Sequence, residues 1–356
     1  MNLRDRHFWM VVVTGALMGT LGVLLAVGGN PENSGICVSC FMESSAGALG
    51  LHDNPRMQYL RPEIVGFVLG AAFSAACFKE FHAKGAGAPL PRLFAGIFLI
   101  IGCAVFIGCP IKLFLRLAAG DLTAVAGVAG LAAGVWIGLR GLANGIELAS
   151  AHTRQPRSGA LLIPALFFLL LLFIIFPPAF LLSSGTGSAA QYAPAAVSLV
   201  AGLLLGSLAQ RSRFCITGSV RDAFIMGFRS HMPWGFMAFV AAAVIANGAS
   251  GRFHPGLYGQ PGAHGDHLWS FLGMLLAGWI SVLIGGCPFR QLIRSGEGDA
   301  DAGLAVVGML IGGAVVQSWG LAGTSAGVPF YGKIAVLAGF AFVLLTSLLG
   351  RERATD

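Results

Sequence analysis

Four of the seven cysteines in this 356-residue chain form two matched pairs. Cys37 closes the string SGIC and Cys215 the string SRFC, 178 residues later. Cys109 sits in IGCP and Cys287 in GGCP, again 178 residues apart. Pro follows Cys109 and Cys287 directly. Pro suits the first position of a helix, where its missing N–H would have no partner anyway. Pro110 and Pro288 are therefore expected to begin helices, with Cys109 and Cys287 as N-caps. A helix start carries unpaired N–H groups and the positive end of the dipole. A thiol there faces a positive field and favours its thiolate. Thiols are also soft and polarisable. A small anion with a terminal sulfur or selenium atom is the matching ligand.

The same offset carries Lys112 onto Arg290, Arg116 onto Arg294, Gly120 onto Gly298 and Asp121 onto Asp299. It also carries Gly130 onto Gly308 and Gly134 onto Gly312. Two motifs holding one spacing imply an internal duplication, with a first repeat at 1–184 and a second at 185–356. Packing alone does not explain a cysteine kept at both motifs in both copies. Cys77 and Cys103 have no such match and read as small apolar side chains. Cys37 and Cys40 also form a C-x-x-C. A thioredoxin-like redox pair needs a βαβ context, which this chain lacks, so independent dithiol catalysis and a structural disulfide are both minor readings.

Charges close to the cysteines have two readings. Arg116 and Arg294 each lie seven residues after a cysteine, and Arg221 and Asp222 follow Cys215 within two turns. They either anchor and pair structurally, or form an electrostatic funnel for anions. Asn144, Glu147 and Gln317 read as polar packing groups. His254, His264 and His267 match no strong zinc spacing, so no metal is expected. No phosphate-binding G-x-x-x-x-G-K-[ST] occurs, so no cofactor or direct nucleotide use is expected either.

These groups sit in an apolar chain. Only 10% of residues are charged and 56% are hydrophobic, against about 25% charged in a soluble domain. Lipid must cover much of that surface. The 52 glycines suit close helix packing in a membrane. The net charge of +7 forms no basic stripe, which argues against a nucleic-acid partner. Apolar runs long enough to span occur near 8–29, 62–81, 92–109, 122–142, 160–183, 192–210, 232–250, 267–286, 302–320 and 331–350. The first follows Arg4 and Arg6 like a signal peptide, but it has a second-half counterpart and is read as a span. The fold class is thus an all-α polytopic membrane protein with about ten transmembrane helices.

Most loop Lys and Arg fall on one side of ten spans, which puts both termini in the cytoplasm. Arg56, Arg61, Lys112, Arg116, Arg252 and Lys333 dissent. Five spans per repeat make the second copy inverted relative to the first, as recurs in transporters. Residues 35–50 and 213–228 are too short to cross and too apolar for ordinary loops. They are expected to be re-entrant, because backbone at membrane depth survives only when protein covers it or it lines a cavity.

The strings RSRFCITGSVRD at 211–222 and GGCPFRQLIRSGEGD at 285–299 resemble those of the YeeE/YedE family of membrane proteins, most closely its selenium-metabolism branch. Gly108, Cys109 and Pro110 match too. The resemblance implies an inner-membrane carrier of thiosulfate-like ions or of a selenium species. It also implies a narrow central path lined by cysteines, here Cys37, Cys109, Cys215 and Cys287. A selenium compound is the favoured substrate. The alternatives are a membrane thiol enzyme that passes persulfide or perselenide to a cytoplasmic sulfur or selenium carrier protein, and a passive anion channel.

Overall fold

A computed structural model of the chain describes residues 5–85, 89–145 and 157–352. Glu147 therefore lies outside the described residues. Fourteen α-helices follow one another in two series of seven. The first is α1 (Arg6–Val27), α2 (Val38–Ala48), α3 (Pro62–Cys77), α4 (Pro89–Phe106), α5 (Pro110–Ala118), α6 (Ala124–Ala143) and α7 (Arg157–Ile175). The second is α8 (Ala195–Ser212), α9 (Ile216–Ile225), α10 (Met232–Ala249), α11 (His267–Leu283), α12 (Pro288–Gly296), α13 (Ala300–Ser318) and α14 (Phe330–Glu352). In each series the second and fifth helices are short.

Each expected span holds one long helix. Among the described residues eight helical stretches are long and apolar enough to cross a bilayer, and two shorter apolar helices, Pro62–Cys77 and Gly159–Ile175, fill the remaining runs. The protein is a polytopic all-α membrane protein. The four short helices have 11, 9, 10 and 9 residues. At 1.5 Å per residue they reach about 14–17 Å, roughly half the hydrocarbon thickness.

Every principal packing pair joins one helix from each series: α1 with α10, α3 with α8, α4 with α13, and α6 with α11. Glycines make these contacts. A methyl group on Gly130 would lie 2.1 Å from the Phe271 carbonyl oxygen, and one on Gly308 would lie 2.1 Å from that of Leu93. Gly134 faces the Leu275 carbonyl and Gly312 the Ile97 carbonyl. Both the glycines and the carbonyls they face are 178 residues apart. Gly15 lies against the Gly235 carbonyl, and Gly66 and Gly70 lie against Gly202 and Leu203. A side chain at these crossings would force the helices apart, so van der Waals contact between backbones holds the bundle. Outside the paired helices the series diverge. Helix α7 packs on α3, whereas α14 packs on α4 and α11.

Three of the six dissenting charges have a physical explanation. Arg61, Lys112 and Arg116 are 2%, 4% and 1% exposed. They are interior charges and not loop charges, so they do not count toward topology.

The crossings predict opposite effects for two glycines. Gly134→Ala should lower stability in detergent by about 1–3 kcal/mol, the usual cost of overpacking. Gly248→Ala, where a methyl would meet nothing within 4 Å, should raise it by about 0.5–1 kcal/mol through helix propensity. Thermal melts of the two variants read the sign; equal shifts would refute backbone contact at the α6–α11 crossing.

Candidate functional site

The four short helices start at the four matched cysteines. Cys37, Cys109, Cys215 and Cys287 are the N-caps of α2, α5, α9 and α12, all with extended backbone. Pro110 and Pro288 occupy the first helical turn, as expected. Sequence reasoning placed only Cys109 and Cys287 at helix starts. Cys37 and Cys215 lack a following Pro, which was the signal used.

The thiols meet in two clusters, one per series. Cys215 Sγ lies 3.4 Å from Cys287 Sγ, and Cys215 accepts from the Gly218 N–H at 3.4 Å. In the first series Cys37 Sγ lies 3.0 Å from Cys40 Sγ and 3.5 Å from Ser39 Oγ. All seven cysteines are free thiols, and the four N-cap cysteines are buried. Thiols therefore pair within a series, and short helices of the two series touch, α2 with α12 and α5 with α9.

Open space approaches the clusters from both ends. A first cavity of about 680 Å³ is lined by Cys40, Glu43, Arg61, Lys112, Gln317 and Thr324, among others. A second, of about 540 Å³, is lined by Glu80, Arg92, Arg213, Arg290, Arg294 and Glu297. A smaller chamber of about 220 Å³ adjoins it and reaches Cys215, Thr217, Gly218 and Arg221. Arg61 caps the N-terminus of α3 and Glu80 follows its C-terminus, so the two large cavities lie at opposite ends of a membrane helix. Cys40 faces the first cavity and Cys215 the chamber, while Cys37, Cys109 and Cys287 line neither.

A cation stands three residues after each Gly-Cys-Pro cysteine. A methyl on Gly108 would lie 2.5 Å from Lys112 Cδ, and one on Gly286 would lie 2.6 Å from Arg290 Cγ. Gly is thus needed so that the cationic stem can fold back over the corner. The two cations then differ. Arg290 Nη2 pairs with Glu297 at 3.1 Å. Lys112 Nζ lies 4.0 Å from Cys40 Sγ and makes no ion pair with a carboxylate among the described residues. A buried ammonium that makes no ion pair, beside a thiol and an open cavity whose lining also includes Glu43, is a place for an anion. Sequence reading matched Lys112 to Arg290 but did not see this. The cation at the third position after cysteine in both copies was the available signal.

Arg116 and Arg294 hold the corners. Arg116 bonds Asp121 at 2.6 Å, Thr123 Oγ1 at 2.8 Å and the Phe106 carbonyl at 3.1 Å, and stacks on the Phe106 ring. Arg294 bonds Asp299 at 2.6 Å and the Ile284 carbonyl at 2.7 Å. Both guanidiniums tie the end of the preceding long helix to an Asp beyond the short one. Between them Ile107 adopts φ +65°, where the second series has Gly285 at +82°. A β-branched residue there is strained, and the Arg116 clip holds it. Arg221 grips Asp222 Oδ1 twice, at 2.9 and 2.7 Å, and Ser230 donates to the other oxygen. Arg221 still lines the chamber beside Cys215.

Elsewhere at the second cavity, Glu80 receives Arg211, Arg213 and the Gln210 amide. The Gln210 amide and then Arg211 hold its carboxyl below the usual range, so it stays charged. Gln317 bonds both Glu43 and Asn54, which ties α13 to α2 and its following loop. His264 donates from Nε2 to the Val105 carbonyl at 2.8 Å while its Nδ1 accepts from the Asp266 N–H. Burial lowers its pKa, and the neutral ring caps α4. No group of three His, Cys, Asp or Glu suited to a metal occurs among the described residues.

A family model described as Sulphur transport matches residues 211–348, which contain α9, α11 and α12. The Thiosulfate transporter TsuA of Escherichia coli (strain K12) is 30% identical over 120 residues. That alignment covers 34% of this chain and 33% of TsuA, so the chain spans about a third of the length of this curated relative. Residues 211–348 are thus similar to the sulphur-transport family, in line with the resemblance of the cysteine motifs to the YeeE/YedE group.

Proposed function

We propose that this protein carries a small anion with a terminal sulfur or selenium atom across the cytoplasmic membrane, handing it along a line of thiols. One observation carries the reading: two clusters of helix-capping cysteines separate two cavities at opposite ends of the bundle. The path runs from the first cavity past Cys40 to Cys37 and Cys109, then to Cys287 and Cys215. The family match and the named activity of TsuA support a sulfur substrate. The softness of the thiols favours a selenium analogue at least equally, because the larger terminal atom is the more polarisable.

In this reading residues 1–184 and 185–356 are inverted repeats that build one membrane domain. Lys79, Lys84, Arg211 and Arg213 lie toward the second cavity, so positive-inside logic turns that end and both termini to the cytoplasm.

The physical problem is dehydration of an anion. Each helix start contributes roughly half an elementary charge and free N–H donors. Four such starts meet around the thiols, and Lys112 supplies a full charge at the mouth. S–H groups are weak donors, so they steer a soft atom without trapping it. That balance suits passage, since a site must bind well enough to admit an ion and weakly enough to release it.

Two measurements test the reading in proteoliposomes with labelled thiosulfate and labelled selenosulfate. Cys109→Ala with Cys287→Ala should reduce uptake of both at least about tenfold, because each change removes a hydrogen bond to a charged group worth about 1.5–3 kcal/mol; uptake at the wild-type rate would show that the thiols are not the path. Lys112→Met should raise the half-saturation concentration about tenfold, on the same scale of charge-assisted contacts, with Lys112→Arg recovering part of the loss. An unaltered half-saturation in Lys112→Met would remove Lys112 from substrate capture.

A further inference from the structure

We propose that Cys37 and Cys40 form a reactive dithiol that cleaves the bond between the terminal chalcogen and the sulfonyl group of the incoming anion at the floor of the first cavity. The inference rests on that anion reaching the first cavity. A C-x-x-C outside a βαβ unit is not a thioredoxin motif. What makes a dithiol reactive is local, however: a helix start, a nearby cation, and a second thiol within reach. All three are present.

The comparison of the two series isolates Cys40. The offset of 178 places Cys40 opposite Gly218. In the second series the corresponding backbone N–H simply donates to Cys215. The corner therefore needs no second thiol, yet the first series has one, 3.0 Å from Cys37 Sγ. The two thiols also differ in access. Cys40 is half-buried and lines the 680 Å³ cavity, whereas Cys37 lies behind it, fully buried. An accessible attacking thiol backed by a resolving thiol is the arrangement that disulfide exchange requires. Lys112 adds the independent observation. It is 4% exposed, lines the same cavity, and points its ammonium at Cys40 from 4.0 Å without a carboxylate partner. Sulfonyl oxygens would be its natural counter-charge.

The step balances as follows. Cys40 loses its proton and attacks the terminal sulfur of thiosulfate. A Cys40 Sγ–S bond forms, the S–sulfonyl bond breaks, and sulfite leaves with the bonding pair, held by Lys112. Cys37 then loses its proton and attacks Cys40 Sγ. The Cys37–Cys40 disulfide forms and hydrosulfide leaves. The dithiol is oxidised by two electrons and the terminal sulfur is reduced by two. The two thiol protons end on sulfite and sulfide. Selenosulfate would give sulfite and hydroselenide by the same route. A small thiol reductant reaching Cys40 through the cavity restores the pair, two thiols becoming one disulfide. The charge consequence is direct: the dianion is split into two monoanions, hydrogensulfite remains outside, and the species left to cross is hydrosulfide or its neutral acid.

Thiosulfate labelled separately at its two sulfur atoms tests this in proteoliposomes, with reduced glutathione supplied on the side of the first cavity. The expected result is terminal-sulfur label inside in excess over sulfonyl label, with sulfite accumulating outside. Without reductant, sulfite should stop at one per chain, and the peptide carrying Cys37 and Cys40 should lose the mass of two hydrogens. Cys40→Ser should abolish sulfite release and the mass loss. Equal entry of the two labels with no sulfite overturns the dithiol proposal and leaves the carrier reading standing. Sulfite release and disulfide formation with neither label inside supports the dithiol and overturns the carrier reading. Neither label inside and no sulfite overturns both. Sulfite release that persists in Cys40→Ser also overturns the assignment.

Discussion

Four helices begin in the middle of this protein, and everything else is arranged around the backbone amides they leave open. A helix start has N–H groups with no partner of their own. In hydrocarbon each would cost several kcal/mol, so such ends persist only under cover of protein or beside a polar cavity. Here ten apolar helices provide the cover. A cysteine stands at each start. The thiol is small enough to bury and polarisable enough to answer the dipole. It is also chemically soft enough to select what enters. Fold and chemistry therefore have one cause, the interrupted helix.

Much of this was legible in the residues. Cys109 and Cys287 announce their helices through the Pro that follows. The offset of 178 then extends that meaning to Cys37 and Cys215, though their capping geometry appears only in three dimensions. Span positions followed from apolar length alone. The roles of Arg116 and Arg294 did not follow, because their decisive partners are carbonyls ten residues earlier, across a corner. Lys112 was equally hidden. Its importance lies in a missing partner, and a missing partner is a property of space. The duplication helped here too, since Arg290 has Glu297 and Lys112 has only a thiol.

That contrast makes the two ends of the molecule unlike. The corners are built alike, with glycine under a cationic stem and an arginine clip behind. One end keeps its cation neutralised, while the other leaves it open with an added thiol at its side. The two cavities thus differ in charge even though the backbones beside them match. Helices α7 and α14 add to the difference by packing on unequal neighbours.

The glycine crossings bear on how such a molecule can move. Each long pair joins one series to the other, with backbone laid against backbone. Neither series can swing as a unit without parting carbonyls from the glycines they touch. Rocking one series against the other would break those contacts. What remains free is small: rotation of a thiol about χ1, a swing of the Lys112 stem, a flip of the strained corner at Ile107. Such motions take nanoseconds to microseconds, not the milliseconds of domain rearrangement. The scaffold stands still while its side chains turn over, more like a fixed sieve than a revolving door.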